Sequence, residues 1–399
     1  MTYLGIVSMI VAMGVASVTT PWVIRLAGRL GAMDRPGGRK THTSPRPRIG
    51  GVSVFAGFVA GLATAAFLAG VLVDPPDVEV YWLGMVVAST VMFLTGLIDD
   101  LADLSYRWKF LAQFVCAGYV WFCGFRVDLV SNPLGGGIEL GWLSLPITVL
   151  WIVGITNAVN LIDGLDGLAA GTALITTLAV GIIGFAMNSL GVTAACVALA
   201  GSLIGFLRFN FNPARIFLGD SGSMFLGFVL AVISARGSQK LPTTVAVLVP
   251  LLVLALPLLD TGMAVARRLY WLGSHTRGSR RRVRYLLANL DVLFRPDRDH
   301  IHHRLLDLGL SHRAAVLALY GVGAASALVA FVLTFVRSPE FGFLLLGVLV
   351  GSMAALIGVL YLRMRRGDDG RAAVPPEVDA RKPAVDGTWA PRETQAPSR

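Results

Sequence analysis

Apolar positions in this chain come in unbroken runs of roughly twenty. They show neither the period-two alternation of a half-buried strand nor the one-sided stripe of a soluble helix. About eleven such runs can be drawn, over 3–24, 50–72, 81–98, 108–125, 141–158, 167–187, 190–207, 217–235, 243–263, 314–336 and 342–362. A bilayer core of ~30 Å takes about 20 apolar residues of helix. The runs therefore predict an all-α fold, a polytopic integral membrane helix bundle of about eleven transmembrane helices. Polar groups intrude on this pattern near 158 and 217.

Composition agrees: of 399 residues 55% are hydrophobic and 15% charged, and the mean hydropathy is +0.69. That excludes an ordinary soluble domain. The first run has no basic residue before it and no convincing small-residue cleavage site, so it reads as a retained span and not a signal peptide. Arg25 and Arg29 follow it, which predicts an outside N-terminus. Alternating from there, Arg25 to Arg48, Arg107 and Lys109, Arg208 and Arg215, Arg267 to Arg313 and the tail from Arg363 fall on one side. The other side receives only Arg126, Arg236, Lys240 and Arg337, out of 34 Lys plus Arg. Positive loops stay inside, so the C-terminus is expected in the cytoplasm of a multi-pass plasma (inner) membrane protein. The net charge of +10 belongs mainly to that face, where it suits anionic headgroups and anionic substrates. It gives no separate support to a nucleic-acid partner.

The spans predict one integral domain, 1–363, and the Pro-, Ala-, Arg- and acid-rich stretch 364–399 predicts a disordered cytoplasmic tail. Within the long loop 267–313, Val283, Leu286, Leu287, Leu290, Leu293 and Phe294 recur at helical spacing after Arg280, Arg281, Arg282 and Arg284. This predicts a basic amphipathic helix over about 280–294, lying in the inner interface or packed on the bundle. Cys116, Cys123 and Cys196 fall inside spans without paired or metal-type spacing and read as small buried hydrophobes.

The acidic residues carry the candidate chemistry. Between spans on the inner side every carboxylate is Asp, and each Glu falls in an outer loop or the tail. Short carboxylates suit a hard cation, and Mg²⁺ in phosphate chemistry takes one or two of them with phosphate oxygens and water. Asp99 and Asp100 end the third run, where adjacent charges are costly unless a cation or hydrogen bonds compensate them, or unless both simply reach water. In NAVNLIDGLDGLAAG, Asn157, Asn160, Asp163 and Asp166 recur every three residues. On a helix such a row spreads over half the circumference, and Gly164 and Gly167 predict a break that turns the carboxylates toward a cavity. Asp220, in LGDSGS, starts the eighth run either as an ordinary N-cap or as a cation holder beside N–H groups free to meet an anion. In PDRDHIHHRL, His300, His302 and His303 are interleaved with Arg298 and Arg304. Zinc is one reading of that group, but no Cys lies on this side, and phosphate contact is favoured. The loop RPGGRKTHTSPRPRIGG cannot be regular helix. Its Arg39, Lys40, Arg46 and Arg48 either set topology or meet anions, and Gly50 and Gly51 could admit close backbone approach to a ligand. Together these groups suit a reaction between a nucleotide-linked phosphate and a lipid-borne phosphate at the inner interface. A transporter or flippase is the rival class, but it predicts acids on both faces.

From Asp34 to about Arg313 the motifs resemble the polyprenyl-phosphate N-acetylhexosamine-1-phosphate transferases, which include phospho-MurNAc-pentapeptide translocase. The chain carries DRPxxRKxH…PRxGG, the Asp-Asp pair, NxxNxxDGLDGLAxG, NxxPAxxFxGDSGS, PxxDT at Pro257 to Thr261, and DxxHxHHRL, all in order. The resemblance implies catalytic roles for Asp99, Asp100, Asp163, Asp166 and the His300, His302 and His303 triad. It implies substrate contacts for Asn157, Asn160, Arg39, Lys40, Arg48, Gly50, Gly51, Asn212, Asp260, Arg298 and Arg304. Mg²⁺, with Mn²⁺ able to replace it, would sit on Asp220, with Asp100 as a second ligand. The HxHH form looks like the branch that moves GlcNAc-1-phosphate from UDP-GlcNAc to undecaprenyl or decaprenyl phosphate, releasing UMP and starting a cell-envelope polysaccharide. Another UDP-N-acetylhexosamine or UDP-MurNAc-pentapeptide is the alternative, because the stretch from Tyr270 to Phe294 is longer than expected for that branch. The implied partners are the UDP-sugar, the lipid phosphate and the membrane, and the resemblance is compatible with a homodimer.

Overall fold

A computed structural model of the chain describes residues 2–34, 44–72, 81–131, 137–240, 258, 262, 263, 305–335, 347, 348 and 351. Within them run nine helices: α1 (Thr2–Leu30), α2 (Gly51–Leu72), α3 (Tyr81–Ala102), α4 (Tyr106–Phe122), α5 (Ser144–Leu161), α6 (Leu168–Ala186), α7 (Leu190–Asn210), α8 (Gly219–Lys240) and α9 (His312–Phe335). They coincide with nine of the eleven predicted runs. Nearly all of the runs 243–263 and 342–362, and the whole of the amphipathic stretch 280–294 and the tail 364–399, lie outside the described residues. Seven helices, α1, α2, α3, α5, α6, α7 and α9, are long and apolar enough to cross a membrane. Those seven make it a multi-pass membrane protein. The helix α4 has 17 residues, and the apolar part of α8, Gly219–Ala235, is also shorter than the other spans.

The all-α expectation needs one amendment. Two short antiparallel pairs flank the helices: β1 (Met33–Asp34) pairs with β2 (Arg46–Pro47), and β3 (Leu129–Ser131) with β4 (Gly137–Glu139). The first pair closes the basic Gly/Pro loop at its base, with Met33 opposite Pro47 and Asp34 opposite Arg46. The second sits at the opposite end of the bundle, between α4 and α5.

Helix α8 is the axis of the bundle. Residues 221–235 are all buried, and α8 packs on α2, α3, α5 and α6. A helix that is apolar all round has to be enclosed in this way. The outer helices instead turn large apolar side chains outward, among them Trp22, Phe67, Leu94, Ile98 and Phe114, as lipid demands. Lipid tails are as apolar as leucine, so close packing and interhelical hydrogen bonds hold such a bundle together. Small residues allow the close packing: a Cβ on Gly61 of α2 would stand 2.8 Å from Ala198 of α7 and 2.9 Å from Ala12 of α1. Hydroxyls bond across helices, Ser8 donating to the Gly61 carbonyl at 2.8 Å and Ser202 to the Val54 carbonyl at 2.6 Å.

Candidate active site

The chain breaks its helices on one level at one end of the bundle, and each break delivers a carboxylate. Consecutive helical residues lie about 100° apart, so Asp99 and Asp100 at the end of α3 address different neighbours. Asp99 Oδ2 accepts a 3.0 Å hydrogen bond from Lys109 Nζ, near the start of α4. Asp100 turns to the start of α8, where its Oδ1 accepts from the Asp220 N–H and its Oδ2 from the Ser221 N–H, both at 3.0 Å.

Lys109 also donates to Asp220 Oδ2 at 3.0 Å, so one ammonium joins two carboxylates from different helices. Asn160, in the last turn of α5, fixes the other oxygen of Asp220: its Nδ2 lies 3.1 Å from Oδ1 and 2.8 Å from Ser223 Oγ. One turn deeper, Asn157 Nδ2 donates to Gln113 Oε1 at 2.6 Å and to the Val153 carbonyl at 2.7 Å. This amide pair satisfies polar groups that would otherwise be stranded between α4 and α5.

The predicted break follows. Helix α5 ends at Leu161, and Gly167, at φ 80°, starts α6. Only this second glycine takes the left-handed conformation. In the turn, burial, then the charges of Asp220 and Asp100, hold the Asp163 carboxyl well above the usual carboxylate range, against a smaller opposing pull from the Gly219 backbone and with Asp166 adding to the rise. Asp166 Oδ2 accepts from Asn212 Nδ2 at 2.9 Å and from the Ala214 N–H at 3.0 Å, fixing the bend between α7 and α8. Helix α9 ties both sides of this seam, Arg313 Nε donating to the Asn212 carbonyl at 3.0 Å and the Tyr320 hydroxyl to the Gly167 carbonyl at 2.6 Å.

One expectation changes here. Asn157, Asn160 and Asp166 distribute their groups to α4, to α8 and to the 212–214 bend, and the start of α8 does not leave its first N–H groups free for an anion: those of Asp220 and Ser221 are already taken by Asp100. The close approach of Gly50 and Gly51 is likewise to the chain itself, whose N–H groups donate to the carbonyls of Phe217 and Leu218 at 3.0 and 2.8 Å. A Cβ on Gly51 would lie 2.2 Å from the Gly222 nitrogen. Arg48 Nη2 reaches Asp103 Oδ1 at 3.3 Å. Arg39, Lys40, Asp260, Arg298, His300, His302, His303 and Arg304 lie outside the described residues.

Lys109, Gln113, Ser223, Arg313 and Tyr320 join the site without having been singled out from the sequence. Among the described residues no three His, Cys, Asp or Glu side chains form a metal cage. Asp99 and Asp220 do converge on one cation, the Lys109 ammonium, and two carboxylates are what a hard divalent ion in phosphate chemistry takes from a protein, its other ligands coming from substrate and water.

Residues 82–238, which take in nearly all of α3 to α8 and with them most of this site, match the family described as glycosyl transferase family 4. A probable undecaprenyl-phosphate N-acetylglucosaminyl 1-phosphate transferase of Bacillus subtilis is 36% identical over 329 residues, 82% of this chain and 84% of the relative. A decaprenyl-phosphate N-acetylglucosaminephosphotransferase of Mycobacterium tuberculosis is 36% identical over 381 residues, 86% of this chain and 85% of the relative. A phospho-N-acetylmuramoyl-pentapeptide-transferase of Clostridium perfringens is 32% identical over 246 residues, 57% of this chain and 73% of the relative.

Proposed function

This chain belongs to glycosyl transferase family 4, and from that premise we propose that it transfers GlcNAc-1-phosphate from UDP-GlcNAc to a polyprenyl phosphate. The products are UMP and polyprenyl diphosphate-GlcNAc, the first lipid intermediate of a cell-envelope polysaccharide. Relatives named for GlcNAc-phosphate transfer match over more than four fifths of the chain, whereas those named for the muramoyl-pentapeptide match over little more than half. This favours GlcNAc. The observation that carries the reading is the pairing of Asp99 and Asp220 through Lys109 where α3, α4 and α8 meet at their ends. Phosphoryl transfer asks a protein mainly for positioning and for charges matched to the phosphates. The site is proposed to face the cytoplasm at the plasma membrane, where both the nucleotide sugar and the lipid phosphate can reach it.

In this reading Asp220 and Asp99 hold Mg²⁺, which when bound neutralises charge on the diphosphate. Asn160 keeps Asp220 oriented, and Lys109 is the ammonium at hand for a phosphate oxygen. Asn160, Asp163, Asp166 and Asn212 border the nucleotide. Arg39, Lys40, Arg48, Arg298, Arg304 and the His300, His302 and His303 triad supply cationic and imidazole contacts to phosphate. In a one-step reaction a lipid phosphate oxygen attacks the sugar-linked phosphorus, Asp99 assists, and UMP leaves with the bridging oxygen. In a two-step reaction an Asp carboxylate attacks that phosphorus first and expels UMP, and a lipid phosphate oxygen then displaces the carboxylate from the phosphorus.

Purified protein, Mg²⁺ and polyprenyl phosphate should be given UDP-GlcNAc and other UDP-sugars in turn, and the lipid product weighed by mass spectrometry. A polyprenyl diphosphate carrying one GlcNAc is the expected product; transfer of a different sugar, or no lipid product from any of them, overturns the proposal. Omitting the lipid separates the two routes, since one equivalent of UMP with sugar phosphate left on the protein would exclude direct attack.

A further inference from the structure

The two aspartates that close α3 do different work, and we propose that Asp100 is a positioning residue that acts through α8 and holds Asp220 in place, while Asp99 belongs to the reacting centre. This rests on the transferase reading of the site.

Asp100 is 4% exposed, and its oxygens each accept a backbone N–H from the first turn of α8 at 3.0 Å. One of these donors is the N–H of Asp220 itself, so the cap fixes the residue that Lys109 and Asn160 hold by its side chain. The contact is built from both sides. Gly96, one turn before Asp100 on α3, lets the start of α8 come close, since a Cβ there would lie 2.3 Å from the Asp220 carbonyl oxygen and 2.6 Å from the Ser221 nitrogen. Gly219, at φ 74°, leaves room for the carboxylate, and a Cβ on it would lie 2.7 and 2.9 Å from the two Asp100 oxygens and 1.8 Å from the Arg48 carbonyl oxygen. A carboxylate serves two converging N–H donors, whereas an amide in its place turns its own NH₂ against one of them. Negative charge at a helix N-terminus is favourable as well. Asp99, by contrast, meets no backbone donor among the described residues and points to the exchangeable ammonium of Lys109.

The test uses the full chain in detergent and follows Mn²⁺ binding by electron paramagnetic resonance without sugar nucleotide or lipid, alongside turnover against Mg²⁺ concentration. Loss of an outer partner of a metal ligand costs roughly 10- to 100-fold in metal affinity. Asp100→Asn should weaken Mn²⁺ binding by that factor and raise the Mg²⁺ needed for half-maximal rate in proportion, while turnover recovers at saturating Mg²⁺. Gly96→Ala should move both quantities in the same direction, although it leaves every carboxylate in place. Asp220→Asn should abolish binding. Asp100→Asn with normal Mn²⁺ affinity but a rate that no Mg²⁺ concentration restores would make Asp100 a reacting group and overturn the proposal. Binding lost as fully as in Asp220→Asn, with Gly96→Ala binding normally, would make it a direct ligand and overturn it equally. If Asp100→Asn does not insert, Gly96→Ala decides alone: weakened binding supports the proposal and unchanged binding ends it. Failure of the transferase reading would be seen separately, as wild-type protein that makes no lipid product whatever its Mn²⁺ affinity.

Discussion

Asp163 shows what a single carboxylate undergoes at this helix junction. Burial and three neighbouring acids, Asp220 foremost, raise its proton affinity, opposed by one N–H from Gly219. A group whose folded pKa is raised binds more protons folded than unfolded, so stability falls as pH rises from the ordinary carboxylate range through the raised value. Asp163→Asn keeps an acceptor for that N–H and removes the charge. Its melting temperature should match wild type only below the ordinary carboxylate range, exceed it increasingly as pH rises from there and level off above the raised value, as read by thermal unfolding at a series of pH values; an offset independent of pH would contradict this. The sequence exposes Asp163 and its companions because short acids beside apolar residues at membrane depth need a reason. It conceals Lys109, since cations such as Arg107 and Lys109 near the start of a span are also what topology alone would place there. It also conceals the division between Asp99 and Asp100: a helical turn separates their directions, but what each one meets depends on α4 and α8, far along the chain.

At the level of elements, the junction depends on backbones that touch. The start of α2 meets the first turn of α8 through Gly51, where a Cβ would fall on backbone atoms at 2.2 to 2.6 Å. Gly51→Ala should therefore cost about 1–3 kcal/mol of stability and, by moving the turn that carries Asp220, about 10²-fold in turnover. Gly14→Ala on α1, where a Cβ meets nothing within 4 Å, should leave both close to wild type. Melting temperature and UMP release measured on the pair check this, and equal behaviour of the two variants would refute it. The helices were legible because hydropathy of span length has few other meanings, and Gly167 was legible as a break because a left-handed turn suits glycine. The two-residue pairing of β1 with β2 was not legible. Met33–Asp34 and Arg46–Pro47 have no strand pattern of their own, and the pairing follows from Arg48 N–H reaching the Ala32 carbonyl and Phe217 N–H reaching that of Pro47.

For the whole molecule, one end carries the acidic cluster and the other the β3–β4 pair with Trp142, 83% exposed. If the charge asymmetry of the loops sets orientation, an impermeant maleimide added to intact cells should label Trp142→Cys and should reach Asp103→Cys only after permeabilisation. The reverse pattern would invert the proposed topology. Such a gathering of acids at one end also argues against a transport pathway, which needs polar groups through the span. The enclosure of α8 bears on motion. Helices with a lipid-facing side can tilt or slide against a fluid, whereas a helix walled by protein moves only if close-packed neighbours repack. A strut enclosed on every side thus carries Asp220, while α4 and α9, which keep outward-facing apolar side chains, bring Lys109, Arg313 and Tyr320 to it from the rim.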